Sequence, residues 1–406
     1  MNPDSQIILV SSSAHYPSHH WSNTVALMRA LRRKGRRVRT VIFSTTTEPV
    51  PADLQGSVEP VFSSIPWPWR GITSGKRQNR RFSGLVTIFE TAFCLRRAAK
   101  LARESKSPTL HFIGGSYWVV ALAVRRFSDI RFVHSLYGNI LSGPSSGWKG
   151  WLKPRLVRLL QKATATGRLD FTCETEFVRD EVVPFTGTHI HVVPYAIDDS
   201  ETLPDRAEAR RRLKLPPDEK IVLFFGTHRQ GKDYHTALKG LRTLPEPPLA
   251  LFVGKTISSN DPGQVVAACG YLKSRVVDEF VPEEQAKSYF AVADAVALPY
   301  EAGFSKGSGV LIECCRHLRP MIASATPYFS AFLTRYPCGV SYVPGDSASF
   351  AAAAGRLLSD SMSHRNALER ARHDHSWTAA ADQYIKLYDG PRLAEKDQPS
   401  IRPPSV

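Results

Sequence analysis

Short apolar runs, each followed by a small-residue or polar loop and then a helical pattern, recur along the chain and restart near its middle. The first series falls at residues 7–10, 38–43, 110–113, 131–135, 169–173 and 191–194. The second falls at residues 220–225, 249–253, 276–280, 295–298, 321–323 and 340–343. Apolar runs of strand length that alternate with helical periodicity read as parallel β/α units, not hairpins. Between the series, residues 199–219 are charged and hold no long apolar run, as at a domain boundary. The expectation is an α/β chain of two Rossmann-like β/α/β domains with parallel sheets, facing across a cleft at the strand C-terminal ends. The limits are 1–198 and 199–375, then a closing helix at 376–390 and a loose Pro-, Lys- and Ser-rich tail at 391–406. At 406 residues, one core is too few.

Two loops of the second half have functional composition. Residues 294–300 form an apolar run that leads through Phe304, Ser305, Lys306, Gly307, Ser308 and Gly309 into a helical pattern of Val310, Leu311, Cys314, Cys315 and Leu318. A small-residue loop opening a helix leaves backbone N–H groups free to meet an anion, and Glu313 follows one turn later. About 80 residues earlier, Gly226 to Lys232 follows directly on a strand, with Arg229 and Lys232 placed to converge on a shared anion. Alone, either loop also fits a tight or solvated turn. Together they suit a diphosphate and a ribose diol.

Charge adds a direction. Residues 1–200 carry 27 Lys and Arg against 14 Asp and Glu, and the remainder 26 against 23. A basic first half suggests an acidic partner. The segment 147–160 mixes Trp, Leu and cations, which fits a core-packing helix with a basic outer face or a contact with an anionic bilayer. The six cysteines form no C-x-x-C pair and read as reduced and buried, which fits a cytosolic protein. No basic-then-apolar leader precedes the first strand, and no apolar run approaches the ~20 residues of a membrane helix. His15, His19 and His20 have no carboxylate or cysteine close by, and Asp-x-Asp is absent, so no metal site is expected.

The second half resembles the nucleotide-sugar-binding domain of GT-B glycosyltransferases, in particular the retaining group called family 4. The resemblance rests on residues 193–198 (VPYAID), 224–232 (FFGTHRQGK), 280–284 (FVPEE), 293–299 (ADAVALP) and 307–320, in that order. It implies a GT-B fold and transfer from a nucleoside-diphosphate sugar, without metal or other cofactor. Arg229 and Lys232 would hold the diphosphate, serving the chemistry as well as binding, with Gly226 beside them. Ser305, Gly307, Ser308, Gly309 and Val310 would line the donor. Glu313, the second carboxylate of E-x7-E, would take the ribose, and Phe280 and Val281 the base. The acceptor would be a glycan, a lipid-linked or a small molecule, anionic or lipid-borne, as in cell-surface polysaccharide or glycoconjugate synthesis. The setting would be cytoplasmic, with peripheral contact to the inner membrane face.

The chain departs from that pattern in places. Ser305 stands where the first glutamate of E-x7-E would fall, with Glu301 four residues before it. Ser18, His19 and His20 replace a glycine-rich first loop. Ile113, next to His111 and Gly114, occupies a usual histidine position. Of a His-x-x-His pair only His134 is present, with Tyr137 in the second place. Ser18, His19 and His134 are the acceptor-side candidates. A second reading is a nucleotide-sugar-binding protein of the same fold without turnover. A third, nucleic-acid binding, rests on charge alone and is not expected.

Overall fold

The computed structural model describes residues 6–14, 19–46, 49–66, 83–105, 109–136, 148–187, 190–199, 202–304, 307–360 and 362–390. Ser18, His15, Tyr137, Ser305 and the tail from Pro391 lie outside these residues, and for His19 and His20 the backbone alone is described. The chain forms two compact units, Met1–Pro194 with Trp377–Val406, and Tyr195–Ser376.

The first unit holds β1 (Ile7–Ser11), β2 (Val38–Ile42), β3 (Val58–Pro60), β4 (Thr109–Phe112), β5 (Arg131–Leu136), β6 (Leu169–Cys173) and β7 (Ile190–Val192). They form one parallel sheet in the order β3-β2-β1-β4-β5-β6-β7. Side chains alternate across a strand, and β1 uses both faces for core. Ile8 and Val10 pack under helices Ser83–Glu104, Tyr117–Arg126, Trp148–Thr164 and Glu176–Thr186. Ile7 and Leu9 pack under helix His19–Arg33 and the C-terminal helix Trp377–Asp389. That last helix completes the first unit, although it follows the second in sequence. Polar contacts pin it: Arg36 to Asp389 at 2.6 Å, and the buried Arg131, paired to Asp170 at 2.8 Å, donating to the Gly390 carbonyl at 3.0 Å.

The second unit holds β8 (Ile221–Phe225), β9 (Leu249–Val253), β10 (Ser274–Val277), β11 (Ala295–Leu298), β12 (Met321–Ser324) and β13 (Gly339–Tyr342). Its parallel sheet runs β10-β9-β8-β11-β12-β13. Phe224 stacks on Phe252 with ring centroids 4.4 Å apart, and Tyr234 meets Phe252 edge-on. Burying such a ring contributes about 1.5–3 kcal/mol. Helices Tyr234–Arg242, Pro262–Cys269 and Ser347–Ser359 cover this face. Because the strands are parallel, the turns after β8, β10 and β11 all emerge at one edge. The run expected to continue as a strand to Phe280 stops at Val277, leaving Phe280 in a loop.

All six cysteines are buried and free. Among the described residues no helix is long and apolar enough to cross a membrane.

Candidate functional site

At the edge of the second sheet, β8 runs into Gly226, whose φ of +85° is open to glycine at no steric cost. A Cβ there would lie 3.1 Å from Val310 Cγ2 and 3.9 Å from Lys232 Nζ. The cationic turn and the start of helix Gly309–Arg316 therefore touch, and glycine is what lets them approach. The turn is strapped down on both sides. Lys232 bridges Tyr300 in an antiparallel pairing, the Glu301 N–H donates to the Gly231 carbonyl at 3.0 Å, and Asn260 Nδ2 donates to the carbonyls of Arg229 at 3.0 Å and Lys232 at 2.8 Å.

Lys232 is buried, and its Nζ donates to the Phe225 carbonyl at 3.0 Å. Burial, reinforced by the nearby Arg229 charge, brings its pKa down to about 7. Among the described residues no carboxylate forms an ion pair with it. Asp233, the next residue, turns its side chain to accept from Thr236 N at 3.0 Å and cap helix Tyr234–Arg242. His228 is buried too, Nδ1 against Tyr234 Oη at 2.7 Å. Desolvation and the Lys232 charge push it down to about 4, so it is neutral at pH 7. The turn is an electropositive cradle.

Ser308 caps helix Gly309–Arg316, its Oγ accepting from Leu311 N at 3.4 Å. Among the described residues the Gly309 and Val310 N–H groups have no recorded acceptor. Tyr300 joins the two loops: its buried hydroxyl lies 3.2 Å from Ser308 Oγ, within reach of the Arg229 charge. One turn into the helix, Glu313 is held by His317 Nε2 at 3.2 Å and Arg316 Nη1 at 3.5 Å. Burial works to raise its carboxyl pKa, but these partners outweigh it and hold it below the usual range. Glu313 stays ionised and keeps lone pairs for a further donor. Phe280 stands in the loop after β10 with its ring 80% exposed, and Val281 beside it is half-buried.

Gly226, Arg229, Lys232, Gly307, Ser308, Gly309, Val310 and Glu313 are thus brought to one end of the second unit. Tyr300, Asn260 and His317 join them without having been singled out. Tyr300 closes the apolar run of β11, and His317 lies one turn after Glu313, so only spacing marked them.

The first unit places its expected residues differently. His134 is buried, with its ring stacked on Tyr117 at 4.7 Å and near Phe112 and Phe171. His111 is buried between Tyr388 Oη at 2.6 Å and Ser135 Oγ at 2.8 Å. Burial lowers their pKa values to about 4 and about 3, leaving both neutral. The cause is the fold: a central strand covered by helices on both faces offers no side chain to solvent. Gly114 and Gly115 follow β4 with positive φ, and a Cβ on Gly115 would lie 3.0 Å from Thr91 Oγ1. Among the described residues no group of three or more His, Cys, Asp or Glu is arranged to hold a metal.

Two parallel-sheet Rossmann-like units, one with a cationic turn against a helix start, define a GT-B glycosyltransferase. The chain belongs to that family: residues 21–196 match the glycosyl transferase 4-like domain and residues 205–374 the glycosyl transferases group 1 domain. It is 24% identical to the D-inositol 3-phosphate glycosyltransferase of Corynebacterium urealyticum, over 90% of this chain and 89% of that one. Among solved structures it is similar to a sucrose-phosphate synthase from Thermosynechococcus elongatus, with TM-score 0.66, 19% identity, and coverage of 95% of this chain and 98% of that one. It is also similar to HepE of Anabaena in complex with UDP, with TM-score 0.67, 12% identity, and coverage of 94% and 99%. At these identities the structural likenesses speak for the fold.

Proposed function

We propose that the chain transfers a sugar from a nucleoside-diphosphate sugar to an acceptor, with retention at the anomeric carbon and without a metal or other cofactor. The observation that carries this reading is the contact of the Lys232 turn with the start of helix Gly309–Arg316 across Gly226. Arg229, Lys232 and the Gly309 and Val310 N–H groups would take the diphosphate, and Glu313 the ribose hydroxyls. Phe280 and Val281 offer an apolar surface for the base. HepE of Anabaena, solved with UDP, has the same fold.

In this reading the bond from the anomeric carbon to the β-phosphate oxygen breaks, and its electron pair leaves with the diphosphate. Arg229 and Lys232 stabilise the charge that develops there, which is the part of the barrier fixed cations lower most. The acceptor oxygen attacks from the same face and gives its proton to the departing phosphate. The two cations supply the neutralisation a metal gives elsewhere. With Ser305 where the first glutamate of E-x7-E would fall, sugar choice would rest on other groups. The acceptor is anionic or lipid-linked, in keeping with the basic first half, and Ser18 and His19 are its candidate contacts. That places the enzyme on the cytoplasmic side of glycan or glycoconjugate synthesis, with no nucleic-acid partner.

The test is turnover with a panel of UDP-, GDP- and ADP-sugars in excess chelator, reading released nucleoside diphosphate and product anomer by NMR. Chelator-resistant release with an unchanged anomer is expected. Dependence on a divalent ion, or an inverted anomer, contradicts the proposal. A donor that binds without release would instead support the reading, motivated by Ser305, of a binding protein without turnover.

A further inference from the structure

Among the described residues, the large apolar side chains that the first unit leaves exposed gather on one layer. Leu85 (51%) and Phe89 (52%) lie in the first two turns of helix Ser83–Glu104, Leu122 (53%) on Tyr117–Arg126, and Trp151 (63%) in the first turn of Trp148–Thr164. These three helices pack side by side over the same face of the sheet. Each helix follows a strand, so its first turns lie at the strand C-terminal edge. The exposed apolar groups therefore rim the edge where the loops after β1 and β4 emerge.

The carboxylates of this layer lie toward one side, with Glu176, Asp180 and Glu181 on helix Glu176–Thr186, and the exposed charge on Tyr117–Arg126 and Trp148–Thr164 is cationic. The exposed face of Trp148–Thr164 runs Trp151, Pro154, Arg155, Arg158, Lys162, and its opposite face, Leu156, Leu159 and Leu160, packs inward. On the neighbouring helix Leu122 is followed by exposed Arg125 and Arg126. Neither helix contains an aspartate or glutamate, and the only carboxylate in the first five turns of Ser83–Glu104 is the buried Glu90. Among the described residues no ion pair joins Arg125, Arg126, Arg155, Arg158 or Lys162 to a carboxylate. The Arg155 guanidinium lies 3.5 Å over the Trp151 ring, and its Nη1 donates to the Trp151 carbonyl, which keeps the indole outward. A row of unpaired cations beside leucine, phenylalanine and tryptophan suits an interface with anionic headgroups above and acyl chains below.

We propose that the chain rests on an anionic lipid bilayer through this face, with Trp151, Leu122, Phe89 and Leu85 entering the headgroup boundary and Arg125, Arg126, Arg155, Arg158 and Lys162 meeting lipid phosphates. A second copy of the chain is a poor occupant, because two such faces would oppose like charges. The face makes no use of the donor site, so it stands or falls separately from the proposed reaction. It sets the acceptor-side loops beside the lipid surface.

Vesicle flotation tests this with the full chain, using phosphatidylglycerol–phosphatidylcholine vesicles against phosphatidylcholine alone. Strong enrichment on the anionic vesicles is expected. Arg155→Glu with Arg158→Glu should lower it on the order of a hundredfold, and Trp151→Ala with Leu122→Ser several-fold. Equal recovery on neutral vesicles, or variants that float as the parent does, would overturn the proposal. Sedimentation showing a dimer that the Trp151 and Leu122 pair dissociates would also overturn it, assigning the face to self-association. The four substitutions are on the surface, so an unchanged melting temperature separates lost binding from lost folding.

Discussion

The two units put one architecture to opposite uses at the strand C-terminal edge. In the second, Arg229 and Lys232 sit in the turn after β8 and Glu313 one turn into helix Gly309–Arg316, beyond the strands, where the proposed donor would meet them. In the first, His111 and His134 sit within the central strands β4 and β5, where they become neutral core. A reactive residue type on a strand one or two residues short of its end is a different object from the same type in the loop that follows. Side chains of a doubly covered sheet are enclosed, and those of its turns are presented.

Substitutions in the two units should separate along that line. Replacing Arg229 and Lys232 together by alanine should lower turnover by about a thousandfold or more, with the melting temperature little changed. His111→Ala should do the reverse. It strands the Tyr388 hydroxyl, removes one of the partners of Ser135 and leaves a cavity, costing about 3 kcal/mol of stability by denaturant unfolding, while nucleoside-diphosphate affinity holds in the folded fraction. If His111→Ala abolishes donor binding at full stability, the contrast fails.

Smaller effects sharpen it within the second unit. Glu313→Ala should weaken nucleoside-diphosphate binding about tenfold to thirtyfold, the loss of one charge-assisted ribose contact. An unchanged affinity would move the ribose elsewhere. Lys232 sets a pH dependence. With the empty-site pKa near 7, binding a diphosphate above that pH must take up a proton, so affinity should fall by up to about tenfold per unit from pH 7 to 9. The native state also binds fewer protons than the unfolded chain in this window, so the stability of the empty protein should rise with pH. Lys232→Met should flatten both slopes. Finally, Leu318 closes helix Gly309–Arg316 with a φ of +50°. Leu318→Gly should stabilise the unit by about 1 kcal/mol, because glycine adopts that conformation without the penalty of a Cβ.

Much of this was legible in the sequence. Each apolar run became a parallel strand within a few residues, because runs buried on both faces have no other stable use. The Gly226 to Lys232 turn and Glu313 also stood out, since cations and carboxylates after a strand announce themselves by type. What escaped depends on distance in sequence. Tyr300 reads as the end of an apolar run, and only the fold sets its hydroxyl between Arg229 and Ser308. His317 reads as a helix residue, and only helical geometry turns it onto Glu313. β3 was missed because Val58, Glu59 and Pro60 make a three-residue edge strand with no apolar pattern. The C-terminal helix belongs to the first unit through Tyr388, Asp389 and Gly390, whose partners lie some 250 to 350 residues earlier. No local signal carries that.

The central claim is that the Lys232 turn and the start of the Glu313 helix form one nucleoside-diphosphate site. Calorimetric titration of UDP, GDP and ADP at pH 8, in two buffers of different ionisation enthalpy, tests it most directly. The account predicts that one of the three binds with net proton uptake, and that Arg229→Ala with Lys232→Ala abolishes both the binding and the uptake. Equal affinity in the parent and the double variant, with no proton uptake in either, would contradict it.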